Sequence, residues 1–226
     1  KNQNNHNMRK FELVDLGALV LGLLALGYFM WAYQTLPETV PVHYGINGLP
    51  NQWGPKNELF IIESILAGSS FVAYLLMKFL PSIDPKRQGK SDNRTFMKLG
   101  FGIVIFMAAL NVAITYSTIN QVFSISLLIM PLVGLFFVFL GNVMYSIRPN
   151  YFAGIRTPWT LEDEANWTAT HHVTSTVWVM GGIVITLFRL FWNSPLDTYV
   201  FLVCIGIMSF TPMIYSYVYF KKHQVK

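Results

Sequence analysis

Two histidines, a glutamate and an arginine could do chemistry, because each lies in or beside a short polar stretch between long apolar blocks. His43 belongs to a segment running from Leu36 to Lys56 that also holds Pro41, Gly48, Trp53 and Gly54. Its imidazole could titrate near neutral pH or bind a metal. With no second His, Cys or carboxylate at ligand spacing, a hydrogen-bonded loop residue is the better reading, and no metal is assigned. Glu63 lies about one turn inside the next apolar block, where a buried carboxylate is costly and so a functional candidate. The nearby helix N-terminus offers a blander role, with the side chain snorkelling to the outer interface. A His43–Glu63 pair facing each other there would strengthen the functional reading of both.

Arg156 and His171 belong to a second stretch, which begins near Asn142 and continues through Asn150, Gly154, Thr157, Pro158, Trp159 and Trp167. Pro149 and Pro158 interrupt helix on both sides of Gly154, predicting a fixed, non-helical turn over 148–159. Thr160 and Asp163 read as a capping box for a new helix. Glu162, Asp163 and Glu164 then fill its first turn, where the dipole favours negative charge, in preference to a metal or acid–base role. From Trp167, His171 follows at i+4 with Thr174 or Ser175 on the same face. This places Trp167 and His171 against the Arg156 loop. The guanidinium can fork onto carbonyls or a carboxylate, which suits holding a loop and equally suits gripping a partner. There is no Gly-x-Ser-x-Gly, no His-Glu-x-x-His and no paired intramembrane aspartate, and His171 with Glu164 is too sparse for a mechanism. No catalytic residue and no cofactor is assigned.

The elements that must position these residues are membrane spans. Of 226 residues, 53% are hydrophobic and 12% charged, whereas a soluble domain carries about 25% charge. The apolar residues form blocks of roughly 20, the length that crosses a hydrocarbon core. Spans are expected at about 13–33, 58–80, 99–117, 122–147, 173–192 and 198–220, giving an all-α, six-helix transmembrane bundle. The first block is too long for a signal h-region and lacks a small-x-small cleavage site, so it should stay in the mature protein. With the N-terminus inside, 14 of the 16 basic residues fall on the cytoplasmic side and only Lys56 and Arg189 outside, which predicts cytoplasmic termini. Attraction of juxtamembrane Lys and Arg to the lipid bilayer accounts for the net charge of +5 without nucleic acid. The expected organisation is a disordered cytoplasmic segment 1–10, a three-span half 11–120 with an extracytoplasmic loop 34–57, and a three-span half 121–226 with a cytoplasmic loop 148–172. Loop 34–57, rich in Pro and Gly, should be compact and turn-rich, with Trp53 in the headgroup belt. Cys204, the single cysteine, reads as a small packing residue of the last span.

The run Pro149-Asn150-Tyr151-Phe152-x-Gly154-Ile155-Arg156-Thr157-Pro158-Trp159-Thr160-Leu161, followed by Trp167-x-x-Thr170-His171, resembles the signature of the SdpI family of bacterial membrane immunity proteins. The outer stretch Leu36-Pro37, Pro41-x-His43, Gly48 and Trp53-Gly54-x-Lys56 is similar to a short extracytoplasmic domain found in many members. The resemblance implies a bacterial plasma-membrane protein that protects its cell from a secreted toxin peptide. It also implies signalling through a cytosolic helix-turn-helix repressor held at the membrane. His172 departs from the basic residue expected after His171, which bears on partner contacts more than on fold. Two other readings remain open: a transporter or exporter, in which Asn111, Pro131 and Asn142 line a polar path beside Glu63, and a membrane-embedded hydrolase that destroys the toxin.

Overall fold

The structure, a computed structural model, describes residues 12–84, 93–122, 124–192 and 196–224. Its long helices are α1 (Leu13–Tyr33), α2 (Lys56–Ile83), α3 (Asn93–Ile119), α4 (Ser126–Ser146), α6 (Glu164–Phe191) and α7 (Leu196–Gln224); a five-residue α5 (Pro158–Glu162) precedes α6. All six long helices are long and apolar enough to cross a bilayer. The chain is an all-α, multi-pass bundle, with exposed leucines, isoleucines and valines such as Leu16, Leu23, Ile65, Val72 and Leu190 on its outside. That inversion suits a lipid solvent, which drives no apolar residue inward. Several helices run past the expected span bounds; α6 starts at Glu164 and continues without a break through the span expected at 173–192, so the helix expected after Asp163 and that span are one element. The segment 1–10 lies outside the described residues.

Small residues set the closest helix contacts. At Gly134 a Cβ would sit 2.7 Å from the Gly182 carbonyl, and at Gly141 one would sit 2.9 Å from the Ser175 carbonyl. Only glycine lets the backbones of α4 and α6 approach this closely, the usual device of helix association in lipid.

The compact loop between α1 and α2 is an antiparallel hairpin, β1 (Thr39–Tyr44) with β2 (Pro50–Pro55). Its tip turns at Gly48, whose φ of +72° favours glycine. The tip rests on the other half of the bundle. Ile125 N donates to Gly48 O at 2.9 Å and Ser124 Oγ to Asn47 O at 3.0 Å, while Thr198 Oγ1 at the start of α7 reaches Ile46 O at 3.3 Å. The hairpin thus ties the connection between α1 and α2 to the start of α4 and the start of α7 at one end of the bundle. Loop 147–157 occupies the opposite end.

Candidate functional site

At the loop end, almost every residue of the inner motif is spent on fixing the loop. Asn150 is fully buried. Its amide donates to the carbonyls of Arg148 and Ala153, both at 2.9 Å, and its Oδ1 accepts from Phe152 N at 2.8 Å and Ala153 N at 2.7 Å. All its hydrogen-bonding capacity is used, so the side chain serves as a local template for the turn. Asp84, at the end of α2, accepts from Tyr151 N at 3.2 Å and ties the turn to the first half. The Arg156 side chain is exposed and donates from Nη1 to Tyr151 O at 2.7 Å.

Trp167 and His171 meet this loop from α6 as their spacing predicts. The rings stack at 4.1 Å between centroids. Trp167 Nε1 donates to Ile147 O at 2.9 Å. His171 Nε2 accepts from Ile155 N at 2.9 Å, which leaves Nδ1 as the protonated nitrogen donating to Trp167 O at 2.7 Å. The imidazole is therefore held as one neutral tautomer with both nitrogens used. Gly154 lies flat on these rings with φ +113°; a Cβ there would stand 2.5 Å from His171 Nε2.

The expected capping box is shifted. Thr157, not Thr160, is the N-cap: its hydroxyl accepts from Thr160 N, and Thr160 Oγ1 accepts from Thr157 N at 2.9 Å, closing a box around α5 with Pro158 at its first position. Asp163 belongs to the next helix and caps α6 through Ala165 N at 2.8 Å. A short helix ending at Glu162 splits what reads in sequence as one start. Trp159 Nε1 then donates to Ser216 Oγ of α7 at 2.7 Å, and Asn166 Nδ2 to Ser216 O at 3.0 Å. Trp159→Phe removes the first of these bonds and should cost about 1 kcal/mol, measured by unfolding in detergent. A loss below a few tenths would mean that the indole bond contributes nothing net. Asn142 does not join this cluster; it is exposed on α4, about one turn before the end of that helix.

At the hairpin end the predicted residues share a register rather than a pocket. Pro41 pairs with Trp53, Val40 with Gly54 and His43 with Gln52. His43 Nδ1 is 2.6 Å from Asn51 Oδ1 on the neighbouring strand. Trp53 is exposed, and a Cβ on Gly54 would meet Glu58 Oε2 at 2.8 Å. Glu63 does not face His43 and does not snorkel. It is fully buried against α3, where Thr115 Oγ1 lies 3.4 Å from its Oε1.

Two buried ion pairs escaped the sequence reading. Lys78, counted there among the juxtamembrane cations, donates to Asp15 Oδ2 at 2.7 Å, and Tyr74 Oη donates to Asp15 Oδ1 at 2.6 Å. Arg189, read there as an outer-loop cation, is buried in α6; it pairs with Asp197 and donates to Ser126 Oγ at 2.8 Å. The signal was present in α2, whose Glu63, Ser70, Tyr74 and Lys78 repeat at helical spacing on one buried face. The first pair closes one end of a groove of about 630 Å³ between α1 and α2, lined by Ala18, Gly22, Ser64 and Gly68.

Residues 146–216 match the model of the SdpI/YfhL protein family, and residues 20–67 that of a domain of unknown function, DUF1648. The first segment runs from the start of the inner loop to Ser216; the second contains the hairpin and Glu63. The chain is 26% identical over 193 residues to "Immunity protein SdpI" of Bacillus subtilis strain 168, covering 84% of this chain and 87% of that protein. It is 33% identical over 66 residues to an uncharacterized protein of Archaeoglobus fulgidus, covering 29% of this chain and 36% of that one. No solved structure matches. The resemblance to the SdpI family carried by the inner-loop residues is thus borne out: residues 146–216 hold the family segment, in a multi-pass membrane protein.

Proposed function

We propose that this chain is a non-catalytic membrane immunity protein that protects its cell from a secreted antimicrobial peptide. The observation that carries the proposal is the alignment with an immunity protein along 84% of the chain, covering a fold in which the hairpin is tied to the starts of α4 and α7 at one end and a fixed loop closes the other. In this reading both termini are cytoplasmic. The peptide meets the hairpin end, and the loop end faces the cytosol, where a helix-turn-helix repressor would dock. In this reading the residues of the inner motif have two tasks. Asn150, Gly154, Thr157, Trp159, Trp167 and His171 hold the loop in shape, whereas the exposed Arg156 is the residue a partner would meet.

The test is survival of sensitive cells expressing this chain when challenged with candidate antimicrobial peptides. Expression should protect, and unchanged killing at equal membrane abundance would sink the proposal. Arg156→Ala should leave protection intact while reducing recruitment of a cytosolic partner by tenfold or more, measured by co-sedimentation with membranes. Equal recruitment by the variant would remove Arg156 from the docking surface. Export of the peptide is the competing reading, favoured by the groove beside the buried Asp15–Lys78 pair. Efflux of labelled peptide from proteoliposomes would establish it in place of binding.

A further inference from the structure

The buried polar group around Glu63 lies apart from both the hairpin register and the inner loop. Asn111, Thr115 and Thr118 recur at i, i+4 and i+7 along one face of α3, and all three are at most 1% exposed. Thr115 approaches one carboxyl oxygen of Glu63, and the Asn111 amide stands within reach of the same group. Three atoms here are left without a hydrogen-bond partner: Glu63 Oε2, Asn111 Nδ2 and Asn111 Oδ1. Unpaired buried polar atoms are rare and call for a physical reason.

Among the described residues the side chains that act on Glu63 are Thr115 and Asn111 of α3, neither of them charged. One turn before Glu63, Leu59 packs with Phe29 and Tyr33 of α1, Val40 and Val42 of β1 and Ile114 of α3. Tyr33 is the one titratable group among these, and its ring lies 5.4 Å from the Lys56 ammonium. That ammonium is itself paired with Glu38 at 2.9 Å. A bare carboxylate so placed would be stripped of water with no cation beside it, which is costly in a membrane interior. An asparagine beside a carboxyl can serve both charge states. With a proton on Oε2, the carboxyl donates to Asn111 Oδ1; without it, a half-turn of the amide lets Nδ2 donate to Oε2. Toward the hairpin, Thr118 lies one turn beyond Thr115, and the buried Tyr44 hydroxyl sits next to it beneath the strands.

We propose that Glu63 and Asn111 form a proton-binding site inside the bundle, loaded from the hairpin end past the hydroxyls of Tyr44, Thr118 and Thr115. Loading forms one O–H bond on Glu63 Oε2 and cancels one negative charge; the proton comes from hydronium at the hairpin, whose broken O–H bond leaves water. The ligand is the proton itself. The inference does not depend on the immunity reading, since the site would bind a proton in a transporter as well.

Infrared titration of the full chain in lipid nanodiscs tests it. The wild type should show a protonated-carboxyl stretch that comes and goes reversibly with pH and is lost in Glu63→Gln. Asn111→Leu should shift the frequency of that band, because the hydrogen-bond partner of the carboxyl is gone. Thr118→Val should slow its hydrogen–deuterium exchange about tenfold, a change of about 1.4 kcal/mol in barrier. Superimposable wild-type and Glu63→Gln spectra would overturn the site, and an unshifted band in Asn111→Leu would overturn the partner. Unchanged exchange in Thr118→Val would remove the path. Replacing potassium by sodium at fixed pH should leave the band alone; its loss would mean that an alkali cation, not a proton, is bound. If Glu63→Gln fails to fold, the Asn111→Leu frequency shift, read on an unaltered carboxyl, still decides the matter.

Discussion

Lys78→Met should destabilise the protein by about 3 kcal/mol or more, because removing one partner of a buried ion pair leaves the other charge uncompensated. Asp15 is 6% exposed, and its carboxylate has two other donors, Glu12 N at 2.6 Å and Tyr74 Oη at 2.6 Å. Those bonds and the N-terminus of α1 keep the loss near the low end of the range for buried pairs. Asp15→Asn should cost less. The amide can still serve Glu12 N and Tyr74, and the long Lys78 stem can carry its ammonium outward. The double variant Asp15→Asn/Lys78→Met should recover most of the loss and lie within about 1 kcal/mol of the wild type, since a neutral amide within reach of Glu12 N and Tyr74 then faces an apolar side chain and no charge is left buried. Reversible unfolding in mixed micelles across the four proteins gives the coupling directly. A coupling near zero would mean that the pair is solvated and contributes nothing to joining α1 and α2. The same pair separates two functional readings: if the groove beside it only packs lipid, the double variant should protect cells as the wild type does.

The contrast between the two ends shows what one sequence can and cannot disclose about such a bundle. Six apolar blocks are legible because length against bilayer thickness is a one-dimensional signal. The inner loop is legible in part because prolines bound it and because Trp167 and His171 sit one turn apart, a local relation. Partners from distant helices are not local. Asp15 and Lys78 are 63 positions apart in the chain, and Trp159 finds Ser216 57 positions away. Nothing in the surroundings of Ser216 sets it apart from other helical serines. The snorkelling role expected of Glu63 fails for a related reason. Snorkelling and burial differ only by a rotation of α2 about its axis, and the choice is made by the polar face of α3. The stripe of Ser70, Tyr74 and Lys78 below Glu63 would have fixed that rotation had it been read together with the carboxylate. The hairpin was legible as a compact, turn-rich loop but not as two paired strands, because four prolines suppress the usual alternation; Pro41, Pro50 and Pro55 sit at an end or irregularity of the pairing, and Pro37 precedes β1.

Gly154→Ala should abolish the shape of the inner loop while leaving the bundle folded, and protection should fall with it. A φ of +113° lies where a β-carbon is strained, at a cost of about 1–3 kcal/mol. Here the new methyl also has nowhere to go: His171 Nε2 would be 2.5 Å away and Trp167 Cζ2 and Cη2 3.2 Å. Both rings are held from the far side, Trp167 by Ile147 O and His171 by its own backbone bond to Trp167 O. The loop therefore has to lift, and Ile155 N loses its acceptor. His171→Phe makes the complementary change: the ring volume stays and the stack survives, but Ile155 N is orphaned, which should cost about 1–3 kcal/mol. If loop shape is what matters, both variants should expose segment 148–157 to limited proteolysis of the protein in detergent and lose protection together. Should His171→Phe lose protection while its loop stays protease-resistant, the imidazole acts in its own right, and the structural role assigned to it here is wrong. Because the bond that Arg156 makes among the described residues, to Tyr151 O, stays within the same exposed stretch of loop, Arg156→Ala should leave the proteolysis pattern unchanged. That separates a residue displayed by the loop from the residues that build it.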